Sequence, residues 1–187
     1  MKKKMYLHED RSVGAKIVEF AVEAAVIVAF GLFLTTFLFS NTQNTSKAME
    51  PTIRQESVVF SNRFTYALSK PKRFDVVSFH RSPDDPESDV LVRRIIALPG
   101  ETIRLYRGVV YINGRELDVS EHLSEITSDG IAETEIRLNQ DEYFLMGDMP
   151  ANSEDSRSST IGIVGRKQII GKAWMYATNL TDIHFIR

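Results

Sequence analysis

Three segments of this 187-residue chain concentrate side chains able to do chemistry. The first, Ser46-Lys47-Ala48-Met49-Glu50-Pro51-Thr52, sets a hydroxyl beside an amine, the pair of groups that nucleophile-plus-base catalysis needs. Pro51 favours an extended backbone before it, and in an extended chain Ser46 and Ala48 share one face while Lys47 points to the other. The second segment, Arg93-Arg94-Ile95-Ile96-Ala97-Leu98-Pro99-Gly100, carries two consecutive cations into a strand. They must point to opposite faces, so one of them heads toward the side that the apolar residues occupy. The third runs from Gly147-Asp148 through Asn152-Ser153-Glu154-Asp155-Ser156-Arg157, a loop dense in hydrogen-bonding groups after the apolar run Glu142 to Met146. Taken singly, each also reads as a solvated loop or an edge strand.

Composition removes several other chemistries. The chain has no cysteine, which excludes disulfides, thiolate zinc sites, iron–sulfur clusters and thiol nucleophiles together. Its four histidines, His8, His80, His122 and His184, have no metal-ligand spacing, so neither a metal nor a cofactor is expected. A formal net charge of -2 leaves no basic surplus for a run of phosphates, and nucleic acid is not an expected partner.

The elements that must position these segments are mostly strands. Runs of β-branched and aromatic residues recur at Ser57 to Phe60, Asp75 to His80, Leu91 to Leu98, Thr102 to Tyr106, Val109 to Ile112, Tyr143 to Met146, Lys172 to Ala177 and Ile183 to Ile186. The pattern predicts a mainly β fold, an antiparallel sheet or barrel. Leu98-Pro99-Gly100-Glu101 has the residues of a type II turn and Asn113-Gly114 those of a type I′ turn, so two hairpins are expected. The acidic, proline-bearing stretch Ser82 to Asp89 reads as a surface loop, and Ser120 to Glu135 as a loop or short helix. Trp174 and Tyr176 are expected in the core; Phe60, Phe64 and Tyr66 fit a core or a membrane-facing role.

Ahead of the strands lies an uncharged stretch from Ala24 to Phe39. As a helix it spans about 24 Å, short of a hydrocarbon core of about 30 Å; extension over Val18 to Thr42 closes the gap if Glu19 and Glu23 sit at its inner edge. Lys2, Lys3, Lys4, Arg11 and Lys16 precede the stretch whereas Lys47 alone follows closely, which places the amino terminus in the cytoplasm. The expected organisation is a cytoplasmic basic segment at 1–17, a single transmembrane anchor at 18–42, and an extracytoplasmic β domain at 43–187.

In this order the three segments resemble the type I signal peptidases, membrane-anchored serine proteases that remove signal peptides from exported preproteins. Where that family has Ser-Met-x-Pro-Thr, this chain has Ala48-Met49-Glu50-Pro51-Thr52; where it has Lys-Arg, an apolar stretch and Gly-x-Pro-Gly, this chain has Arg93 through Gly100. The family's Gly-Asp, Asn-Ser-x-Asp-Ser-Arg and Gly-Lys-Ala blocks appear as Gly147-Asp148, Asn152 to Arg157, and Gly171-Lys172-Ala173. The resemblance implies that fold. It implies a site with the nucleophile at position 48 and the general base at 93, supported by Ser46, Met49, Pro51, Ser153, Asp155 and Arg157. Ser46 then matches an oxyanion donor of some branches, Ser153 the serine that contacts the base, and Asp155 and Arg157 a bracing ion pair.

The departures fall on the reagents themselves. An alanine methyl cannot attack a carbonyl, and a guanidinium stays protonated where a buried lysine amine can be neutral. Ser46 lies about 6.6 Å from Ala48 along an extended chain, too far to take its place. Ala97 for the family glycine, and two extra residues between Arg157 and Gly162, bear on loop geometry. The implied function is that of a catalytically deficient, pilus-associated member of the family, binding an extended segment of an exported or pilin protein on the outer face of the membrane. The alternatives are an active signal peptidase, or one inactivated by an engineered substitution.

Overall fold

The computed structural model describes residues 13–85, 87–179 and 181–186, with the side chains of all of these except 34–39. Most of the basic segment expected at 1–17, including Lys2, Lys3, Lys4 and Arg11, lies outside the described residues, as does His8. The chain divides after Phe37 into two units.

The first unit is carried by helix α1, Val13–Leu38. Its apolar side chains are exposed on all sides, among them Ile17, Phe20, Ile27, Phe30 and Leu32. Lys16, Glu19 and Glu23 interrupt its first half. Among the described residues, no helix is long and apolar enough to cross a membrane. The end of the expected anchor departs from helix altogether, because Phe39 to Thr42 belong to a strand.

The second unit is built from twelve strands and one short helix, among the described residues. They are β1 (Phe39–Asn44), β2 (Ser57–Asn62), α2 (Thr65–Leu68), β3 (Val76–His80), β4 (Val90–Ala97), β5 (Thr102–Tyr106), β6 (Val109–Ile112), β7 (Arg115–Leu117), β8 (Ile136–Arg137), β9 (Glu142–Met146), β10 (Val164–Gly165), β11 (Ile169–Asn179) and β12 (Asp182–Phe185). The larger sheet has the order β1-β2-β11-β3-β4-β9-β10, with β12 also on β11; the smaller is β7-β6-β5-β8. Every pairing is antiparallel.

Alternation of side chains sets the faces. In β5, Ile103 and Leu105 are buried while Arg104 and Tyr106 are exposed, and β6 buries Val110 and Ile112 beside them. These four join Ile96, Phe144, Met146 and Leu138 in a core that links the two sheets. A second core gathers Val77, Phe79, Ile95, Leu145 and Tyr66. A third holds Met49, Ile53, Val59, Val76, Val92 and Tyr176.

Asn113 and Gly114 both have positive φ, 51° and 73°, and join the paired strands β6 and β7 as a type I′ hairpin requires. Gly100, at φ 81°, completes the turn from Leu98, whose carbonyl accepts the Glu101 N–H at 3.2 Å. That turn is not a hairpin. It passes the chain from β4 in the large sheet to β5 in the small one, because the apolar faces on either side of it enter the shared core from different sheets. The hairpin that precedes β6 is instead closed by Arg107 and Gly108, also at positive φ. Tyr66 and Tyr176 are buried and Trp174 is half-buried, while Phe64 is exposed. Within Ser120 to Glu135 the ordered element is a single 3-10 turn, Gly130–Glu133.

Candidate functional site

The segment expected to be extended around Pro51 is a turn. The Glu50 N–H donates to the Lys47 carbonyl at 3.1 Å and the Ile53 N–H to that of Met49 at 2.8 Å. This coiling drives Met49 and Ile53 into the third core and leaves Pro51 and Lys47 exposed and Ser46 half-buried. Separations reckoned along an extended chain between Ser46 and Ala48 therefore do not apply. Ala48 is fully buried.

The turn is held against the loop that follows β9. The Ala48 carbonyl accepts the Met149 N–H at 2.9 Å. Gly147 explains the close approach: a Cβ there would stand 2.6 Å from the Ala48 oxygen and closer still to Ser153 Oγ. Only a residue without a side chain lets three segments meet at this point.

Both consecutive arginines of β4 are buried, 3% exposed for Arg93 and 1% for Arg94, contrary to the expectation that a single one would face the apolar side. Each has carbonyl or carboxylate partners that make this tolerable. Arg94 Nε donates to Asp148 Oδ1 at 2.8 Å and Nη2 to Oδ2 at 2.5 Å, a bidentate pair. Its Nη1 donates to the Phe74 carbonyl at 2.9 Å, and Thr52 Oγ1 donates to Asp148 Oδ2 at 2.5 Å. The turn, β4 and the end of β9 are thus tied by one carboxylate. Thr52, Arg94 and Asp148 are the members that the sequence reading passed over as site residues; the signal was a carboxylate placed directly after the apolar run of β9.

Arg93 makes a different set of contacts. Its Nε and Nη2 both donate to the Glu154 carbonyl, at 3.0 and 2.8 Å, and Nη1 to the Val92 carbonyl at 2.6 Å. Burial lowers its pKa to about 10, opposed by the charges of Asp155 and Glu154. The guanidinium stays protonated at pH 7.

Asp155 and Arg157 form the bracing pair. Arg157 Nε donates to Asp155 Oδ1 and Nη2 to Oδ2, both at 2.9 Å, while Arg157 also donates to the carbonyls of Ser128 and Pro150. The Gly147 N–H donates to Asp155 Oδ2 at 3.1 Å, so the brace fixes the residue on which Ala48 and Ser153 rest. Ser153 Oγ is buried without a hydrogen-bond partner in a contact shell that includes Gly147. Ser153 Oγ makes no hydrogen bond to the residue at 93, whose guanidinium is spent on the Glu154 and Val92 carbonyls.

A separate buried carboxylate, Asp75, accepts from Lys172 Nζ at 2.6 Å and from the Tyr66 hydroxyl at 2.9 Å. Among the described residues, no hydrogen bond joins a serine or threonine hydroxyl to a lysine amine, and no cluster of side chains is suited to a metal ion.

Two strand edges lie open beside this site among the described residues, where β1 pairs with β2 alone and the first half of β4 pairs with β3 but not with β9. Asn41, Thr42 and Gln43 of the one, and Val90 and Leu91 of the other, line a cavity of about 420 Å³.

A braced polar loop thus packs on a turn and on a strand of a mainly antiparallel β domain, beside these strand edges. Residues 17–177 match the family described as Signal peptidase, peptidase S26, and the chain belongs to that family. It is 29% identical to Signal peptidase I of Bacillus amyloliquefaciens over 170 residues, covering 87% of this chain and 89% of the relative. It is 32% identical to the Probable signal peptidase I-2 of Synechocystis over 157 residues, covering 81% and 67% respectively. A crystal structure of a signal peptidase I from Enterococcus faecalis aligns at 27% identity with a TM-score of 0.43, over 56% of this chain and 97% of that one.

Proposed function

We propose that this member of the signal peptidase family binds an extended segment of an exported protein, pilin subunits included, and holds it at the membrane surface without cleaving it. The observation that carries the reading is the pair of side chains at the reaction positions: a buried methyl at Ala48 and a protonated guanidinium, closed on the Glu154 carbonyl, at Arg93. Neither supplies an attacking oxygen or a proton acceptor. Binding needs only the strand edges. A peptide entering beside Asn41 to Gln43 and Val90 to Leu91 would add to the sheet through main-chain hydrogen bonds, with alternate side chains pointing into the cavity.

The bilayer is the second partner in this reading. The exposed apolar side chains of α1 support it, and the uncharged sequence continues past the last described side chain of the helix, through Leu34 to Phe39. The large sheet adds an apolar face of its own: Val58 and Phe60 of β2, Met175 of β11, and Ile183 and Phe185 of β12 share one side by register. Ile183 and Phe185 are exposed there. With the lysines of the amino-terminal segment inside, the β domain lies on the outer face.

The test is site-specific photocrosslinking of the full chain in vesicles, with the probe at Gln43 or Leu91, against a preprotein and a pilin subunit. Crosslinks to uncleaved partner, above those from a probe at exposed Lys167, are expected. Cleavage of either protein by the unaltered chain would instead establish the active-peptidase reading, which the names of the relatives favour.

A further inference from the structure

The small sheet has one face in the core and one face open. On the open side, register brings together Arg137 of β8, Arg104 and Tyr106 of β5, and Tyr111 of β6. Arg104, Tyr106 and Arg137 are exposed and Tyr111 is partly so. The guanidinium of Arg104 lies 5.3 Å from the Tyr106 ring centroid and that of Arg107 lies 5.2 Å from the same centroid. Two like charges are thereby gathered on one aromatic ring. Glu116 stands opposite Tyr111 and the Asp129 carboxylate accepts the backbone N–H groups of Arg107 and Gly108 at 2.9 and 3.0 Å, yet among the described residues none of Arg104, Arg107 and Arg137 has an ion-pair partner. The face is cationic on a chain whose net charge is -2.

Tyrosine and arginine on an open, rigid sheet are the residues that dominate protein interfaces, where each offers contact area together with a hydrogen-bonding end. The complementary charge is present elsewhere in the same chain. Asp84, Asp85, Glu87 and Asp89 are exposed in the loop before β4. That loop stands at the start of β4, while the turn into β5 leaves from its end, so the eight residues of the strand separate them. At about 3.3 Å per residue the strand spans roughly 26 Å, and among the described residues no ion pair joins this loop to those arginines.

We propose that the open face of the small sheet docks the acidic side chains of Asp84, Asp85 and Glu87 of a second copy of this chain, a head-to-tail contact in which one surface meets a different one. Such contacts propagate or close into rings, and their charge pairing sets register and association rate. The arrangement lets bound chains be brought side by side along the membrane.

Sedimentation velocity on the full chain in nonionic detergent tests it, using an Arg104→Glu/Arg137→Glu variant and an Asp84→Lys/Asp85→Lys variant. The unaltered chain is expected to self-associate at about 0.05 M salt and at least tenfold more weakly at about 0.5 M, where charges are screened. Each variant alone should lose association, because its two surfaces then repel. An equimolar mixture should regain it, since it restores both the native and the swapped pairing; that recovery also shows that both variants are folded. Association unchanged in either variant, no association of the unaltered chain, or a mixture that stays monomeric after both variants give the unaltered thermal melt overturns the proposal.

Discussion

The guanidinium of Arg93 closes on the carbonyl of Glu154 and leaves the hydroxyl of Ser153, one residue earlier, buried with no partner. The relation is geometric. A fork of donors on a long planar head reaches two positions at once, whereas a single amine ends where its last carbon points. Arg93 therefore anchors the loop through its backbone, while the Ser153 hydroxyl beside that carbonyl's residue goes unused.

Restoring the reagents tests that account. Ala48→Ser together with Arg93→Lys is expected to produce cleavage of a preprotein in vesicles, measured by loss of the precursor band. Either single variant should remain at the level of the unaltered chain, since a general base typically contributes about a hundredfold or more and a base without a nucleophile does nothing.

The unused hydroxyl predicts an asymmetry around Gly147. Ser153→Ala removes an unsatisfied buried group and is expected to raise stability by about 1 kcal/mol in urea denaturation. Gly147→Ala forces a methyl onto the Ala48 carbonyl and Ser153 Oγ and should cost about 1–3 kcal/mol by the same measurement.

Arg94 and Asp148 predict a larger effect. Arg94→Met strips the partner from a fully buried carboxylate and is expected to destabilise by about 3–5 kcal/mol. Arg94→Met with Asp148→Leu, which leaves no uncompensated charge, should recover most of that loss. Thr52 connects the pair to the turn bearing Ala48, so the single variant should also expose that turn to proteolysis.

How far the sequence foretold this is clearest at the strands. Thr102 to Tyr106 and Val109 to Ile112 were legible to the residue, because each is a run of β-branched and aromatic residues bounded by turn residues. β1 was not, since Phe-Ser-Asn-Thr-Gln-Asn has no apolar alternation and its first residue completes an apolar helix. It becomes a strand by pairing with β2, a tertiary effect. The turn at Ala48 was hidden for a similar reason: Met49 and Ile53, four apart, both reach the core only if the chain coils, and the proline between them argued locally for extension. The Asp155–Arg157 brace was expected only through the resemblance to the family's Asn-Ser-x-Asp-Ser-Arg block, whereas the partner of Arg93 is a backbone carbonyl, which no side-chain pattern announces.

The stretch after Arg157 makes a contact that titration can expose. Thr160, within that lengthened stretch, donates its hydroxyl to Glu154 Oε1 at 2.7 Å, and Arg81 pairs with the other carboxylate oxygen. The Thr160 hydroxyl holds the Glu154 carboxyl below its ordinary range; slight burial opposes this, and Arg81 reinforces it. A carboxyl whose folded pKa is lowered favours the folded state at pH above its unfolded value, and loses that contribution as the pH falls through the folded one. Thr160→Ala should therefore raise the Glu154 pKa, followed by its side-chain carboxyl resonance, and Arg81→Met should raise it less. Because the carbonyl of the same residue receives Arg93, loss of the latch should loosen the loop over Ala48 as well, read as faster amide exchange at Glu154 through Ser156 in Thr160→Ala at pH 7. Exchange there unchanged by the substitution would mean that the backbone contact with Arg93 holds the loop alone.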